Sequence, residues 1–486
     1  MTYTKFMTIS YKEYFEGKRI TKQGFGFLGR GANVVKFLLE NGAKVLVTDM
    51  KTEKELEKSL DQLESFLKEK NISKENLVYR LGEHRLEDFG KENCDFVIQA
   101  SGVAKDNAYL NHAKESGIKV YQEGSLFASI IRDFNEQLDE KDRIKIIGVT
   151  GTRGKTTTTF LIKKIIEDWI INSKSESKVY FGGNVQGVAT LELLNKIKEG
   201  DIVVMELDSW VLQGFADIGY SPNVAVFTNF MPDHMNYYKN NMDEYFLDKA
   251  SIFLNQKVED LLITHENMKS RVEGMVSEGE KVFINDREIE EDKNKYESQL
   301  LGEHNRYYIS LAKHVAERLN ISDDSFMNSV KDFASVAGRL ELVRVFNGVS
   351  YVNDTTATTG EASSVALETF KDESIILITG GRDKDLDIIN YANKIIEYKN
   401  KNIIKKVFLL NSETTTGTHK LINIFAENNF TDFILVSSID EAVMTAKENA
   451  TYGDTILFTP AFASFGMFQN EYDRGEKYNT AVNDLK

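Results

Sequence analysis

The run GVTGTRGKTTT, Gly148–Thr158, carries an apolar stretch into a glycine-rich turn, a lysine and a row of hydroxyl residues. These residue types suit anion binding. Backbone N–H groups of such a turn, and of a helix starting after it, point at phosphate oxygens, while Lys155 adds a point charge and the Thr156 hydroxyl can ligate Mg²⁺. Gly151, Thr152, Gly154, Lys155, Thr156 and Thr157 are therefore the candidate contacts to a nucleoside triphosphate.

Further polar residues follow apolar runs. Glu206 follows IVVM, and Asp233 and His234 close TNFMPDH. A metal that bridges phosphates takes hard oxygen ligands and keeps several waters, so a glutamate placed at a strand end beside a phosphate loop suits Mg²⁺. Near the amino terminus, GFGFLG sets Gly24, Gly26 and Gly29 in a GxGxxG pattern, with Asp49 further on at the end of a strand. That is a dinucleotide fingerprint on paper. The preceding run RITKQ is unusually polar for a buried first strand, however, and a nucleotide diphosphate accounts for the glycines equally well, with Lys51 near its phosphates.

These residues need a scaffold of strands that end on one edge. Short β-branched runs alternate with longer amphipathic stretches, which predicts an α/β chain built on mostly parallel sheets. Three series are legible. The first includes KVLVTD (Lys44–Asp49), LVYRLG, FVIQASG and IKVYQEG, followed by FNEQLDEKDR, a polar helical stretch that reads as a linker. The second runs from IKIIGVTG through KVYFGGN, DIVVMEL, NVAVFTN and LLITH; the third comprises VSYVND, IILITGG, KVFLLN, FILVSS and TILFTPA. The expected domains are residues 1–143, 144–338 and 339–486.

A formal charge of -15 disfavours nonspecific attraction to nucleic acid or anionic membrane, so phosphorylated ligands need local basic sites. The single cysteine, Cys94, excludes an intrachain disulfide framework and fits a reducing compartment. The opening residues lack the apolar core of a signal peptide, and no stretch approaches the ~18 apolar residues of a membrane helix. The expected setting is cytoplasmic, with small-molecule partners, no nucleic acid, no membrane and a monomeric chain.

Taken in order, GVTGTRGKTTT, MELDSW, TNFMPDHMNYY, LGEHN, AGRLE, NDTTAT and GGRDKD make the whole chain resemble the Mur ligases of cell-wall synthesis. The likeness is strongest to the branch that adds D-glutamate to UDP-N-acetylmuramoyl-L-alanine through an acyl-phosphate. It implies a Rossmann-like first domain, a P-loop ATPase-like second and a Rossmann-like third, with ATP and two Mg²⁺ ions. Carried over residue by residue, Lys155, Glu206, His234 and Lys249 become catalytic, and Thr156, Glu206, His234 and Lys249 serve the metals. Lys249 stands where many of these ligases carry a lysine carbamylated by carbon dioxide. Asn305, Arg339 and Asp354 would hold ATP, the last two as the third domain closes over the second. Gly26, Gly29, Asp49, Lys51, Ser101 and Asn184 would bind the UDP-muramoyl substrate, and Thr358, Lys384 and Ser464 the amino acid.

Departures from the family pattern touch recognition rather than phosphoryl transfer. Arg153 replaces Asn, Asp208-Ser-Trp-Val211 replaces Ser-Ser-Phe-Gln, Tyr308 replaces Asn and Thr356 replaces Lys. An amino-acid ligase of another specificity, including the folylpolyglutamate type, shares the chemistry; a separate first domain argues against the folate enzymes.

Overall fold

A computed structural model of the chain describes residues 11–26, 30–100, 102–104 and 106–486. Packing divides the chain into two compact units. One runs to Lys295 and takes in Tyr308–Val330; the other combines Tyr296–Tyr307 with Lys331–Lys486.

The first unit holds two sheets. In the first, β1 (Arg19–Gln23), β2 (Lys44–Asp49), β3 (Leu77–Leu81), β4 (Phe96–Gln99) and β5 (Lys119–Gln122) lie in the order β3-β2-β1-β4-β5, all parallel. The polar run RITKQ is thus the central strand. Thr21, Lys22 and Gln23 are each 2% exposed or less. The first two bury polar ends by reaching backbone acceptors: Thr21 Oγ1 donates to the Asp88 carbonyl at 2.6 Å and Lys22 Nζ to that of Gly24 at 2.7 Å. Register aligns Thr48, Gln23, Gln99 and Gln122 in one row at the carboxyl edge.

The second sheet comprises β6 (Lys145–Thr150), β7 (Val179–Gly183), β8 (Ile202–Glu206), β9 (Val224–Phe227), β10 (Leu261–His265) and β11 (Glu280–Ile284), ordered β11-β10-β9-β6-β8-β7 and parallel throughout. Ile146, Ile147 and Val149 of β6 are fully buried, as expected for a strand covered on both faces. The two sheets share one continuous core, in which Phe127 and Ile131 join Met205, Val211 and Phe215. FNEQLDEKDR is accordingly not a loose linker. Phe134 and Asn135 end the helix Glu123–Asn135, Phe134 is buried, and the Asn135 amide bonds both the N–H and the carbonyl of Ile144, at 2.9 and 2.8 Å.

The second unit carries β12 (Glu341–Phe346), β13 (Val349–Asn353), β14 (Ser374–Thr379), β15 (Ile404–Leu410), β16 (Ile434–Val436) and β17 (Asp454–Phe458), ordered β12-β13-β17-β14-β15-β16. All neighbours are parallel except β12 and β13. That pair forms a hairpin through Asn347 and Gly348, both at positive φ, as a tight right-twisted turn requires. The sheet is therefore mixed. Its two faces feed separate cores, Leu377, Leu409 and Leu457 on one and Ile376, Phe408 and Ile456 on the other, the period-two alternation of a strand covered on both sides. Among the described residues no helix is long and apolar enough to cross a membrane.

Candidate active site

The glycine turn after β6 delivers its chain into the helix Lys155–Ser173, with Gly154 at φ +80° as the residue before the first turn. Its shape is held from outside. Thr152 N–H donates to the Asn229 carbonyl at 2.9 Å, the Arg153 N–H to Asn229 Oδ1 at 2.8 Å, and Thr228 Oγ1 to the Arg153 carbonyl at 2.5 Å, so the exit of β9 braces the turn. Tyr308 is 5% exposed and packs on Gly154, where an added Cβ would lie 2.1 Å from its ring. The Lys155 amine rests on the carbonyls of Gly151 and Thr152, at 3.0 and 3.1 Å. Thr157, one residue beyond Thr156, is 7% exposed.

Thr156 Oγ1 donates to Glu206 Oε2 at 2.7 Å. The structure thus brings a helix-start hydroxyl and a strand-end carboxylate together beside the phosphate loop. Among the described residues no three His, Cys, Asp or Glu side chains form an all-protein metal cage. A hydroxyl and one carboxylate are the sparse set that suits Mg²⁺, which keeps waters and phosphate oxygens as its other ligands.

Lys249 is 2% exposed on the helix Met242–Ala250, and its Nζ donates to the Gly151 carbonyl at 2.9 Å, 5.0 Å from the centre of the Tyr245 ring. Burial, and then the nearby charge of Lys155, drives this amine well below the ordinary lysine value. Burial likewise lowers the His234 imidazole, against the pull of Asp233. A neutral imidazole offers a lone pair to a metal. His234 sits at φ +55°, rare for a residue with a side chain, and its ring lies against Trp210 with centroids 4.5 Å apart.

At the first sheet, Asp49 turns inward. Its Oδ2 accepts the N–H groups of Phe25 and Gly26, at 2.7 and 3.3 Å, and its Oδ1 that of Lys51 at 3.0 Å. Burial works against the charge, but these three amides hold the carboxyl below its usual range. Asp49 therefore shapes the glycine turn. Gly29 and Ser101 lie outside the described residues. Asn184 is tied to the second sheet by its N–H on the Glu206 carbonyl at 2.7 Å, and its side chain is gripped by Arg30, which donates to Asn184 Oδ1 at 3.0 Å and to the Gly183 carbonyl at 2.7 Å. Arg30 escaped the sequence reading. With Lys22 and Glu123 it lines a cavity of about 290 Å³ at the carboxyl ends of β1 and β4, where the strand order reverses.

In the second unit the residues expected to take an amino acid converge. Lys384 Nζ donates to Thr358 Oγ1 at 2.8 Å. The loops after β14 and β17 pair at Arg382 and Ala463, and the Ala461 N–H donates to the Ala357 carbonyl at 2.9 Å, joining the loop after β13. Ser464 is 3% exposed, and its hydroxyl has no hydrogen-bond partner among the described residues. Asp354 is 8% exposed; it accepts the Leu340 N–H at 3.2 Å and Thr459 Oγ1 at 3.0 Å. Burial pushes its carboxyl up to about 7, with Arg339 among the groups opposing the rise. Asn305 is buried, with its amide on the Leu301 carbonyl.

Residues 149–316 match the Mur ligase middle domain, and residues 338–462 match the Mur ligase, glutamate ligase domain. The UDP-N-acetylmuramoylalanine–D-glutamate ligase of Borreliella burgdorferi strain ZS7 is 31% identical over 480 residues, covering 95% of this chain and 97% of that one. The enzyme of the same name from Roseiflexus sp. strain RS-1 is also 31% identical, over 96% and 98%. Among solved structures, the UDP-N-acetylmuramate–alanine ligase of Thermotoga maritima aligns with a TM-score of 0.55 at 16% identity, over 96% of this chain and all of that one. The MurF ligase of Thermotoga maritima, solved with ADP, aligns at 0.53 and 16%, over 80% and 95%. At such identity the structures speak for the fold. The domain matches and the near full-length relatives go further: the chain belongs to the Mur ligase family.

Proposed function

We propose that this protein is an ATP-dependent ligase that adds D-glutamate to UDP-N-acetylmuramoyl-L-alanine in peptidoglycan precursor synthesis, working in the cytoplasm as a monomer. The observation that carries the chemistry is the phosphate loop with Thr156 on Glu206 and the buried Lys249 amine on Gly151. A carboxylate cannot acylate an amine until one of its oxygens becomes a leaving group. Its oxygen attacks the γ-phosphorus of ATP and ADP departs; the amine of the amino acid then attacks the acyl carbon, phosphate leaves and the amine loses a proton. Lys155 and the amides of Gly151, Gly154 and Thr157 hold the triphosphate in the turn that Thr152 helps to shape, and Asn305, Arg339 and Asp354 are assigned to the same nucleotide.

Mg²⁺, when bound, screens the two anions that must meet. Thr156 and Glu206 would hold one ion, His234 and Lys249 a second. For Lys249 to serve, its amine must carry a carbamate, and only an uncharged amine reacts with carbon dioxide; burial beside Lys155 supports that state. Gly26, Gly29, Asp49, Lys51, Ser101 and Asn184 are assigned to the UDP-muramoyl substrate. Lys384 would meet the side-chain carboxylate of the amino acid, while Thr358 and Ser464 donate hydrogen bonds without adding charge.

The test is phosphate release with ATP and Mg²⁺ over a matrix of UDP-muramoyl precursors and amino acids. D-glutamate with the L-alanyl precursor is expected to turn over fastest. A clear preference for L-alanine, L-lysine or L-glutamate overturns the substrate assignment and leaves the ligase chemistry standing.

A further inference from the structure

Three loops carry the residues assigned to the amino acid, and they come from the ends of strands far apart in sequence. Behind them lies Arg474, on the helix Glu471–Asn483, fully buried. Its Nη2 donates to the Thr355 carbonyl at 2.7 Å, its Nε to Thr355 Oγ1 at 3.1 Å, and its Nη1 to the Phe462 carbonyl at 3.0 Å. A Cβ built on Gly381 would lie 3.5 Å from the same Nη1. One guanidinium therefore bonds the loop of Thr358 and the loop of Ser464, and lies close to Gly381 at the start of the loop of Lys384.

The partners are two carbonyls and a hydroxyl rather than a carboxylate. A buried charge held by neutral dipoles is a poor way to stabilise a core, since an apolar side chain of similar volume commonly serves as well or better. What a planar fork supplies is direction, fixing several acceptors at once at set angles. The loops it holds need such restraint: Ala461, beside Phe462, sits at φ +63°, and Asp385, beside Lys384, at φ +58°.

We propose that Arg474 is a positioning residue for the amino-acid substrate, setting the spacing of Thr358, Lys384 and Ser464 without touching the substrate itself. The inference rests on assigning those three residues to the amino acid. Small displacements of binding groups weaken a ligand held by two carboxylates far more than they disturb distant steps. Loss of the fork therefore acts on one substrate.

Steady-state ligation by the full chain tests this with Arg474→Lys, Thr355→Val and Lys384→Ala, alongside thermal unfolding. Arg474→Lys keeps the charge and loses the fork; it is expected to raise the D-glutamate KM about tenfold or more, with kcat and the ATP KM within about threefold of wild type. Thr355→Val removes the hydroxyl that accepts from Arg474 and donates to the Glu471 carbonyl at 2.9 Å, leaves the Arg474 fork on the Thr355 and Phe462 carbonyls, and is expected to raise the same KM about threefold. If Arg474→Lys does not fold, Thr355→Val decides. A rise in D-glutamate KM for Lys384→Ala with none for the two other variants overturns the positioning role, as does a fall in kcat with all KM values unchanged. If Lys384→Ala itself leaves the D-glutamate KM unchanged, the assignment of the amino-acid site fails instead.

Discussion

The phosphate loop and the amino-acid loops are built by opposite means. The first is one contiguous stretch, Gly151–Thr157, leading from β6 into a helix, its ligand-facing groups all neighbours in sequence and its shape braced from outside by Thr228 and Asn229. The second is assembled from the ends of β13, β14 and β17, brought together by a backbone bridge at Arg382 and Ala463 and by a guanidinium from a fourth segment. A contiguous site concentrates its function in single side chains. A dispersed site spreads it over the contacts that hold its parts in register.

The sharpest break in this comparison is Lys155→Ala. In the proposed mechanism the lysine acts on charge in transfer rather than on packing, so phosphate release is expected to fall ~10²–10³-fold with thermal stability unchanged. Retention of a tenth of wild-type turnover removes the phosphate loop from the mechanism. Lys249→Ala comes next, with an expected loss of ~10²-fold, a few kcal/mol of barrier, partly restored by acetate or another short carboxylate that supplies the missing oxygens. No restoration at any carboxylate concentration argues against the carbamate.

A third effect is on stability alone and concerns a buried carboxyl just past the end of β13. The Asp354 carboxyl has a folded value near 7 against 3.8 for the free side chain, because burial disfavours its charge. Between those values the folded chain binds more protons than the unfolded one, so stability contributed at this position is present below about pH 4 and is lost as pH rises to 7. Thermal midpoints of wild type should decline across that window relative to Asp354→Asn, whose side chain does not titrate. Parallel pH profiles for the two proteins place the buried charge elsewhere.

The same contrast decides what can be read from the chain. GVTGTRGKTTT is legible because turn, cation, hydroxyl and helix start are neighbours in sequence. Lys384 and Thr358 were recoverable only through their likeness to a family, since nothing in either loop announces the 2.8 Å contact between them. Arg474 reads in sequence as one more charge in EYDRGEKY, and Arg30 as the first residue of an ordinary helix; their partners are remote along the chain. RITKQ looked too polar for an inner strand because the acceptors that satisfy Thr21 and Lys22 are backbone carbonyls, invisible in a residue string. Two strands are illegible in the sequence for related reasons. β11 is short and opens on two charged residues, Glu280 and Lys281, and β12 pairs antiparallel at an edge, where burial is incomplete and the apolar run is broken.

Trp210 has an optical consequence. It is one of two tryptophans in the chain, and its ring lies 4.5 Å from the His234 imidazole, with Tyr237 at 5.8 Å. Indole emission responds to the charge and polarity of whatever touches the ring, and a protonated or metal-bound imidazole is a different neighbour from a neutral one. The other tryptophan, Trp169, lies on the helix Lys155–Ser173. With Trp169 changed to Phe, the fluorescence of the remaining indole becomes a built-in gauge of what occupies His234, readable in the unlabelled protein before any phosphate is released.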